Sequence, residues 1–397
     1  MATIRQKLSL IPRYNWDFGF GDLARALISL AGTCTAAERR GEGFARLFGR
    51  KPIFTGSGRA SLFAILKSLG LPEGAGVGVP LFCCPVVFTT IVRAGFVPVF
   101  IDIDRRDFSL SADDLDRKAP RLSAIVVVHM FGHPADIDAI REAAGKIPII
   151  EDCAQSLFSL YKEKLTGTLT DVSFFSFRSG KYLSAGEGSV LFCRDEELTR
   201  RIDAFTASMK QPTLFQEILH CNATYVKSAL YRRPLYGLVG FPLGTRLDRR
   251  FNITAKSGFE LRRIGRSNLH TISSRIGFFR NKIEKQRRNA LFLLDGIRLE
   301  NVELPVEMPG CRSNYYQFAL RFGSEAERDR VVNNLWRQGL DCPKYLDEIV
   351  DEAGARGGYR GGCPISEEVS RTVAVIPNHY TLCDGDMERI VRSINRA

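Results

Sequence analysis

The residues that could do chemistry in this chain fall in three short segments. The most informative runs Phe174-Phe175-Ser176-Phe177-Arg178-Ser179-Gly180-Lys181-Tyr182 and continues Leu183-Ser184-Ala185-Gly186-Glu187-Gly188. A strand pattern ends in Ser and Gly, and a single lysine, Lys181, stands just past the strand's carboxyl end among small residues that leave room for a ligand. A lysine so placed can form a Schiff base when its surroundings depress its pKa. Taken alone, a lysine in a surface loop is the simpler reading. The second segment, Ile149-Ile150-Glu151-Asp152-Cys153-Ala154-Gln155, ends a buried-type strand with two acids about thirty residues upstream of that lysine. A carboxylate there can keep a pyridine nitrogen protonated, so that the ring accepts electrons from a substrate carbanion; pyridoxal phosphate chemistry needs this. Successive side chains of a strand point to opposite sides, so only one of Glu151 and Asp152 can face such a ring. On its own, Asp152 also reads as an ordinary helix N-cap. The third segment, Thr55-Gly56-Ser57-Gly58-Arg59-Ala60-Ser61-Leu62, leads glycines and small hydroxyls straight into an amphipathic helix. Its free N–H groups and the helix dipole suit an anion such as a cofactor phosphate. It is neither a Rossmann G-x-G-x-x-G turn nor a Walker loop.

The elements that must position these residues follow from hydrophobic patterning. Strands are predicted at residues 77–82, 96–103, 124–130, 147–152, 171–177 and 189–193, with helical patterns at 59–69, 86–94, 112–118 and 137–144 between several of them. Such βαβ alternation implies a mostly parallel sheet with helices on its faces, and ligand chemistry then gathers beyond the strands' carboxyl ends. Residues 205–255 read as an irregular aromatic and basic segment that links domains or faces a partner. A long basic helix is expected over 256–295, then a smaller α+β unit with strands at 315–322 and 372–377 and helices at 325–338 and 384–395.

Composition sets outer limits. The chain has 397 residues, 45% of them hydrophobic and 25% charged, with a formal net charge of +12. These are globular proportions, which argue against disorder, collagen-like repeats and a coiled-coil rod. The ten cysteines show no C-x-x-C pair and no zinc-ligand spacing, so neither a disulfide framework nor a metal site is expected. The first residues lack a signal-peptide pattern and no stretch approaches a membrane span, which makes the cytoplasm the expected location. Asn222 and Asn252 head Asn-x-Thr triplets that are read as chance.

The order and spacing of these segments resemble the DegT/DnrJ/StrS family of pyridoxal-phosphate aminotransferases, from about residue 50 to the C-terminus. Ser57-Gly58-Arg59-Ala60 resembles the family's phosphate-binding helix start. His129-Met130-Phe131-Gly132-His133-Pro134-Ala135-Asp136 is similar to its H-x-[YF]-G-x-[PA]-x-[DN] turn, and Glu151-Asp152-Cys153-Ala154-Gln155 to its EDAAQ. Ser176 through Lys181, followed by Gly186-Glu187-Gly188, matches SF-x-x-x-K and GEGG. Val79-Pro80-Leu81-Phe82, Pro98 through Asp104, and Cys363 through Pro377 resemble the remaining landmarks.

The resemblance implies an α/β fold of the pyridoxal-phosphate transferase fold type I class, with a mostly parallel seven-stranded sheet and a smaller C-terminal α+β domain. Residues 1–255 would form the large cofactor domain, with an N-terminal extension and the linking segment, and 256–397 the small one. It implies pyridoxal 5'-phosphate carried on Lys181, which also serves as acid and base, with Asp152 as pyridinium partner. Gln155 would bond the ring's phenolate oxygen. Ser176 and the Gly58, Arg59 and Ala60 backbone would hold the phosphate. The implied activity is transfer of an amino group, from glutamate, to a keto sugar linked to a nucleotide, in polysaccharide biosynthesis, by a homodimer whose active sites draw on both chains. Three departures stand out. Cys84 occupies the place of a cofactor-stacking aromatic, Tyr182 follows the lysine where an asparagine is common, and Leu340-Asp341-Cys342-Pro343-Lys344-Tyr345 replaces a His-Tyr loop. Either Phe82, two residues before Cys84 if the strand stays extended, closes over the ring, or the space admits a substrate of different shape; the alternative is that the chain has turned by then and Cys84 is simply a small buried residue.

Two other readings compete. A non-catalytic or regulatory binding protein of the same fold is motivated by Cys84 and Tyr182, and opposed by intact Lys181, Asp152, Gln155 and Ser176. Arg232, Arg233, Arg246, Arg249, Arg250, Arg262, Arg263 and Arg266 could bind nucleic acid, but no nucleic-acid module accompanies them. The expected partners are therefore a small-molecule amino donor and keto acceptor and a second copy of the chain. Contact with a membrane surface is not expected.

Overall fold

The computed structural model describes residues 4–31, 41–245 and 259–397. Seven strands, β1 (Ile53–Thr55), β2 (Gly76–Pro80), β3 (Val97–Ile101), β4 (Ala124–Val128), β5 (Ile149–Asp152), β6 (Val172–Ser176) and β7 (Ser189–Cys193), form one sheet in the order β1-β7-β6-β5-β4-β2-β3. The run from β3 through β2, β4 and β5 to β6 is parallel, and β7 and β1 are antiparallel additions. The parallel strands are apolar on both sides because helices cover both faces. Ala124, Val126 and Val128 of β4 enter one core, and Ile125 and Val127 the other. Register then fixes the working edge: Val128 lies opposite Asp152, and Asp152 opposite Phe174, so the chain leaves β4, β5 and β6 at neighbouring points.

The smaller unit is an antiparallel sheet of Val302–Glu303, Phe318–Phe322 and Val373–Ile376, covered by the helices Glu325–Arg337 and Asp384–Ile394. The strand expected from residue 315 starts later because Tyr315 adopts φ 50°, turning the chain before the ladder begins. The boundary expected at 255/256 falls outside the described residues, as do Arg246, Arg249, Arg250 and Asn252. The segment from 205 is not irregular: it contains the 17-residue helix Leu214–Leu230, capped by Thr213, whose hydroxyl accepts from the Gln216 N–H. Several of its aromatic rings are covered, though Phe215 is 73% exposed. Tyr231 stacks on Trp16 at 4.5 Å, Tyr236 is 2% exposed, and Phe241 lies 4.3 Å from Trp336.

Two elements bind the units together. The helix Arg266–Gly296 buries Ile272, Ile276, Phe279 and Ile283 against the large sheet's core and Ala290 and Leu293 against the small unit's. Near the N-terminus, Ile11 bridges Leu340 and enters the small unit's core. Two residues on, the Arg13 guanidinium donates to both carboxylate oxygens of Asp341, at 2.7 and 2.9 Å, and the Tyr236 hydroxyl donates to the same group. Asp341 is 2% exposed. Asp341→Ala would leave Arg13 without its anion, so the expected loss is about 3 kcal/mol of unfolding free energy by urea titration. Arg13→Gln should cost less, since Tyr236 still serves the carboxylate.

Candidate active site

Glu151 and Asp152 end β5 on opposite sides, and their environments are opposite too. Glu151 is fully buried beneath the sheet. Its carboxylate accepts from the N–H groups of Gly167, Leu169 and Thr170 at 2.7, 2.9 and 2.8 Å, from the Thr170 hydroxyl at 3.1 Å, and from His129 Nε2 at 3.1 Å. His129 Nδ1 accepts from the Ala135 N–H at 3.0 Å, which places the ring proton on Nε2. His129, Glu151 and Cys153 are close enough to hold a metal ion, but these donors already occupy both Glu151 oxygens. Burial pushes the Glu151 carboxyl up; the bonds from His129 and the backbone amides outweigh it and hold it below the usual carboxylate range.

Asp152 faces the site. It is 6% exposed, and its side chain accepts one hydrogen bond among the described residues, from the Ala154 N–H at 2.9 Å. Burial raises its pKa, only partly offset by that amide and by the charge of Lys181. Lys181 shows the complementary shift: desolvation lowers it, and Asp152 works against that. Its Nζ lies 5.0 Å from the centroid of the Tyr316 ring, whose hydroxyl donates to the Gly180 carbonyl at 2.6 Å. An acid and an amine are thus held at one strand edge, each pushed toward its neutral form, which is how a buried site keeps both reactive near neutral pH.

The anion cradle forms at the start of the helix Gly58–Ser68. A Cβ at Gly58 would stand 3.3 Å from Ser176 Cβ and 3.5 Å from Ser176 Oγ, so Ser176 at the end of β6 lies directly over the first turn. The Ser57 hydroxyl caps the helix by accepting from the Ala60 N–H at 3.2 Å. The Ala60 amide, expected from sequence to face a phosphate, is therefore engaged inside the protein. Arg59 is half-buried, its guanidinium 5.3 Å from the Phe259 ring.

Gln155 is buried, and its Oε1 accepts from the Phe131 N–H at 3.1 Å. Phe131 and Gly132 both take positive φ, 57° and 92°. The tight turn is obligatory: a Cβ at Gly132 would stand 1.8 Å from Asn314 Oδ1. Asn314 in turn donates to the Gln155 and Leu157 carbonyls, fastening the β5 loop to the small unit.

Two expectations change. Chain direction alters after β2 ends at Pro80, so alternation does not extend to Cys84, which caps the helix Pro85–Arg93. Phe82 is fully buried between Phe108, Phe131 and Tyr345, and does not replace a ring over the site. Cys84 itself is half-buried and close enough to Lys181, Tyr316 and Tyr345 to contribute to their fields. Tyr182 lines the cavity beside Lys181 with its ring 5.1 Å from that of Tyr316, and its hydroxyl is engaged: it donates to the Asn314 carbonyl at 2.7 Å and accepts from Gln286 on the long helix. The sequence reading also missed Tyr14 and Asn15, which line the cavity beside Lys181 together with Tyr316 and His379. The Tyr14 hydroxyl accepts from Gln317 at 2.7 Å. A roomier cavity of about 560 Å³ lies across the Gly56–Ser57 turn, lined by Arg59, Glu187, His220, Arg262 and Arg263.

The helix-flanked sheet thus brings an amine, a buried acid and a helix start together at its carboxyl edge. Among solved structures the chain is similar to a putative sugar aminotransferase of Streptococcus pneumoniae described in its PLP-form, with a TM-score of 0.78, 15% identity and 98% of each chain covered. The profile of the DegT/DnrJ/EryC1/StrS aminotransferase family matches residues 37–225. The UDP-N-acetyl-3-dehydro-alpha-D-glucosamine 3-aminotransferase of Acidithiobacillus ferrooxidans is 31% identical over 346 residues, which cover 86% of this chain and 82% of that protein. This chain belongs to that family. The GDP-perosamine synthase of Escherichia coli O157:H7 is 36% identical over 148 residues, which span 36% of this chain and 41% of that protein.

Glu151→Gln should separate support from chemistry. An amide nitrogen cannot accept from the Gly167 or Leu169 N–H, so the substitution should cost about 3 kcal/mol at neutral pH. Because folding lowers this carboxyl's pKa, its contribution is present above the unfolded carboxylate pKa and is lost as pH falls through the folded one. The variant's stability should consequently fall less on acidification than the native protein's, as read by denaturation at stepped pH.

Proposed function

We propose that this protein is a pyridoxal-phosphate-dependent aminotransferase that moves an amino group from glutamate to the carbonyl of a keto sugar carried on a nucleotide. The observation that carries the reading is Asp152: a buried carboxylate with one hydrogen bond and a raised pKa, set across from an amine, is a group whose anion a close cation would stabilise. A pyridinium nitrogen supplies that cation. Gly58, beside Ser176 at a helix start, leaves room for a phosphate dianion.

When bound, pyridoxal phosphate supplies an electron sink for the carbanion formed at a substrate carbon. In this arrangement Lys181 would hold the cofactor, and its Nζ would move the proton at the substrate carbon; its lowered pKa makes the neutral amine accessible. Asp152 holds the proton on the ring nitrogen. Gln155, whose Oε1 accepts from the Phe131 N–H and whose Nε2 reaches Met130 Sδ at 3.6 Å, would offer an amide N–H to the ring's phenolate oxygen. Ser176 and the Gly58 and Arg59 amides hold the phosphate. The guanidinium groups of Arg59, Arg262 and Arg263 in the larger cavity suit an acceptor that carries a pyrophosphate. The reading includes a homodimer working in the cytoplasm on polysaccharide precursors. The rings of Tyr231, Tyr236 and Phe241 have partners within the chain and do not call for a second copy.

Borohydride reduction of the loaded protein followed by peptide mass spectrometry should fix the cofactor to Lys181, and Lys181→Ala should take up no reducible adduct. Attachment at a different lysine, or no cofactor after reconstitution, would refute the reading. In Asp152→Asn cofactor should still bind, while single-turnover amino transfer from glutamate slows by two orders of magnitude or more, a loss of about 3 kcal/mol. A near-native rate in that variant would remove Asp152 from the mechanism.

A further inference from the structure

The helix Leu214–Leu230 is amphipathic in the reverse of the usual sense. Its inward face carries Glu217, Cys221, Thr224 and Ser228, all buried. Outward stand Phe215, Leu219 and Val226, at 73%, 59% and 54% exposure. At helical spacing these three lie on one line, so an apolar stripe faces away from the protein along the helix. The surface extends beyond the helix. Phe20, 71% exposed, stands edge-on to Tyr225 at 6.3 Å, and Leu238 and Val239 of the following segment are exposed as well.

The segment that carries this helix is basic on its outside, and Asp22, on the helix of Phe20, is paired with Arg25. Between Ser208 and Thr245 the one acid is Glu217. Its carboxylate is buried, accepting from the Ser267 N–H and hydroxyl, with Arg266 at 3.6 Å. Lys227 and Arg232 are exposed and form no ion pair among the described residues. Exposed apolar side chains grouped along one helix in this way mark a site of interaction. Where a two-fold axis passed through this segment, a second copy would bring the same cations together, with no exposed acid between Ser208 and Thr245 to answer them. A bilayer with anionic headgroups meets both features: Phe and aliphatic side chains enter the headgroup boundary, and the cations meet phosphates.

We propose that the surface formed by the helix Leu214–Leu230, Phe20 and the 238–239 segment docks this protein peripherally on an anionic lipid bilayer. No helix among the described residues is long and apolar enough to cross one, so the contact lies in the plane of the interface. The proposal rests on this surface and does not depend on the reaction proposed above, although Leu219 also lines the larger cavity.

The test is co-sedimentation of the full chain with phosphatidylcholine vesicles, with and without phosphatidylglycerol. The native protein should pellet with the anionic vesicles only, and added salt should release it as the cations are screened. Phe215→Ser/Val226→Ser changes two exposed side chains and should weaken vesicle binding about tenfold or more. Its circular dichroism spectrum and sedimentation coefficient in solution should match those of the native protein. Failure of the native protein to bind anionic vesicles would overturn the proposal, as would equal binding by the double variant. Dissociation of a native oligomer by the same substitutions would assign the surface to a second copy. Tighter retention on duplex DNA than on anionic vesicles, unaffected by the two substitutions, would assign the charge to nucleic acid instead.

Discussion

Two adjacent carboxylates at the end of one strand decide how the site of this protein is built. Glu151 and Asp152 are equally buried by sequence position, yet strand geometry sends them to opposite sides. One meets five N–H and O–H donors and the other a single amide. Glu151 thereby fixes the loop that returns the chain to β6 and, through His129, the turn that leaves β4. Asp152 is held still by that framework but left unneutralised. A buried charge without a partner is costly, and a fold keeps one only where something else supplies the counter-charge.

The framework is braced from far away in sequence. The N-terminal residues cross to the small unit, where Arg13 meets Asp341, and Asp17 meets Arg275, Lys282 and Tyr380. Asn314 and Tyr182 tie the lysine loop and the β5 loop to the same unit. Tyr14 and Tyr316 reach the lysine only because these contacts hold. The positive φ at Tyr315, unfavourable for a bulky side chain, is part of that arrangement: it turns the chain so that Tyr316 faces Lys181 while Tyr315 is buried.

The helix Leu214–Leu230 follows a different logic from the catalytic scaffold. Its inward face is small and polar because it seats against the equally short side chains at the start of the long helix, where Glu217 and Ser267 bond. The apolar side chains are then left to the outside. Such a helix adds little to the core; its sequence is explained by what covers it.

Sequence alone determined the parallel architecture and the chemistry-bearing edge. Each βαβ unit announces itself locally, by an apolar run, a turn and an amphipathic stretch, and the observed strands β2 to β7 fall within three residues of the expected ends. Lys181, Asp152, Ser176 and Gly58 were legible for the same reason: each sits in a short motif at a strand end or a helix start. The Ser57 cap over Ala60, the buried place of Phe82, and the entry of Tyr14, Tyr316 and Tyr345 were not. The Ser57 cap joins residues three apart; the others depend on contacts between residues from tens to three hundred positions apart, which leave no period or spacing in the chain. The reversed helix was hidden for a related reason. Periodicity reports that one face is apolar, but which face turns inward is decided by the complementarity of the surface it meets, and only the tertiary structure assembles that surface.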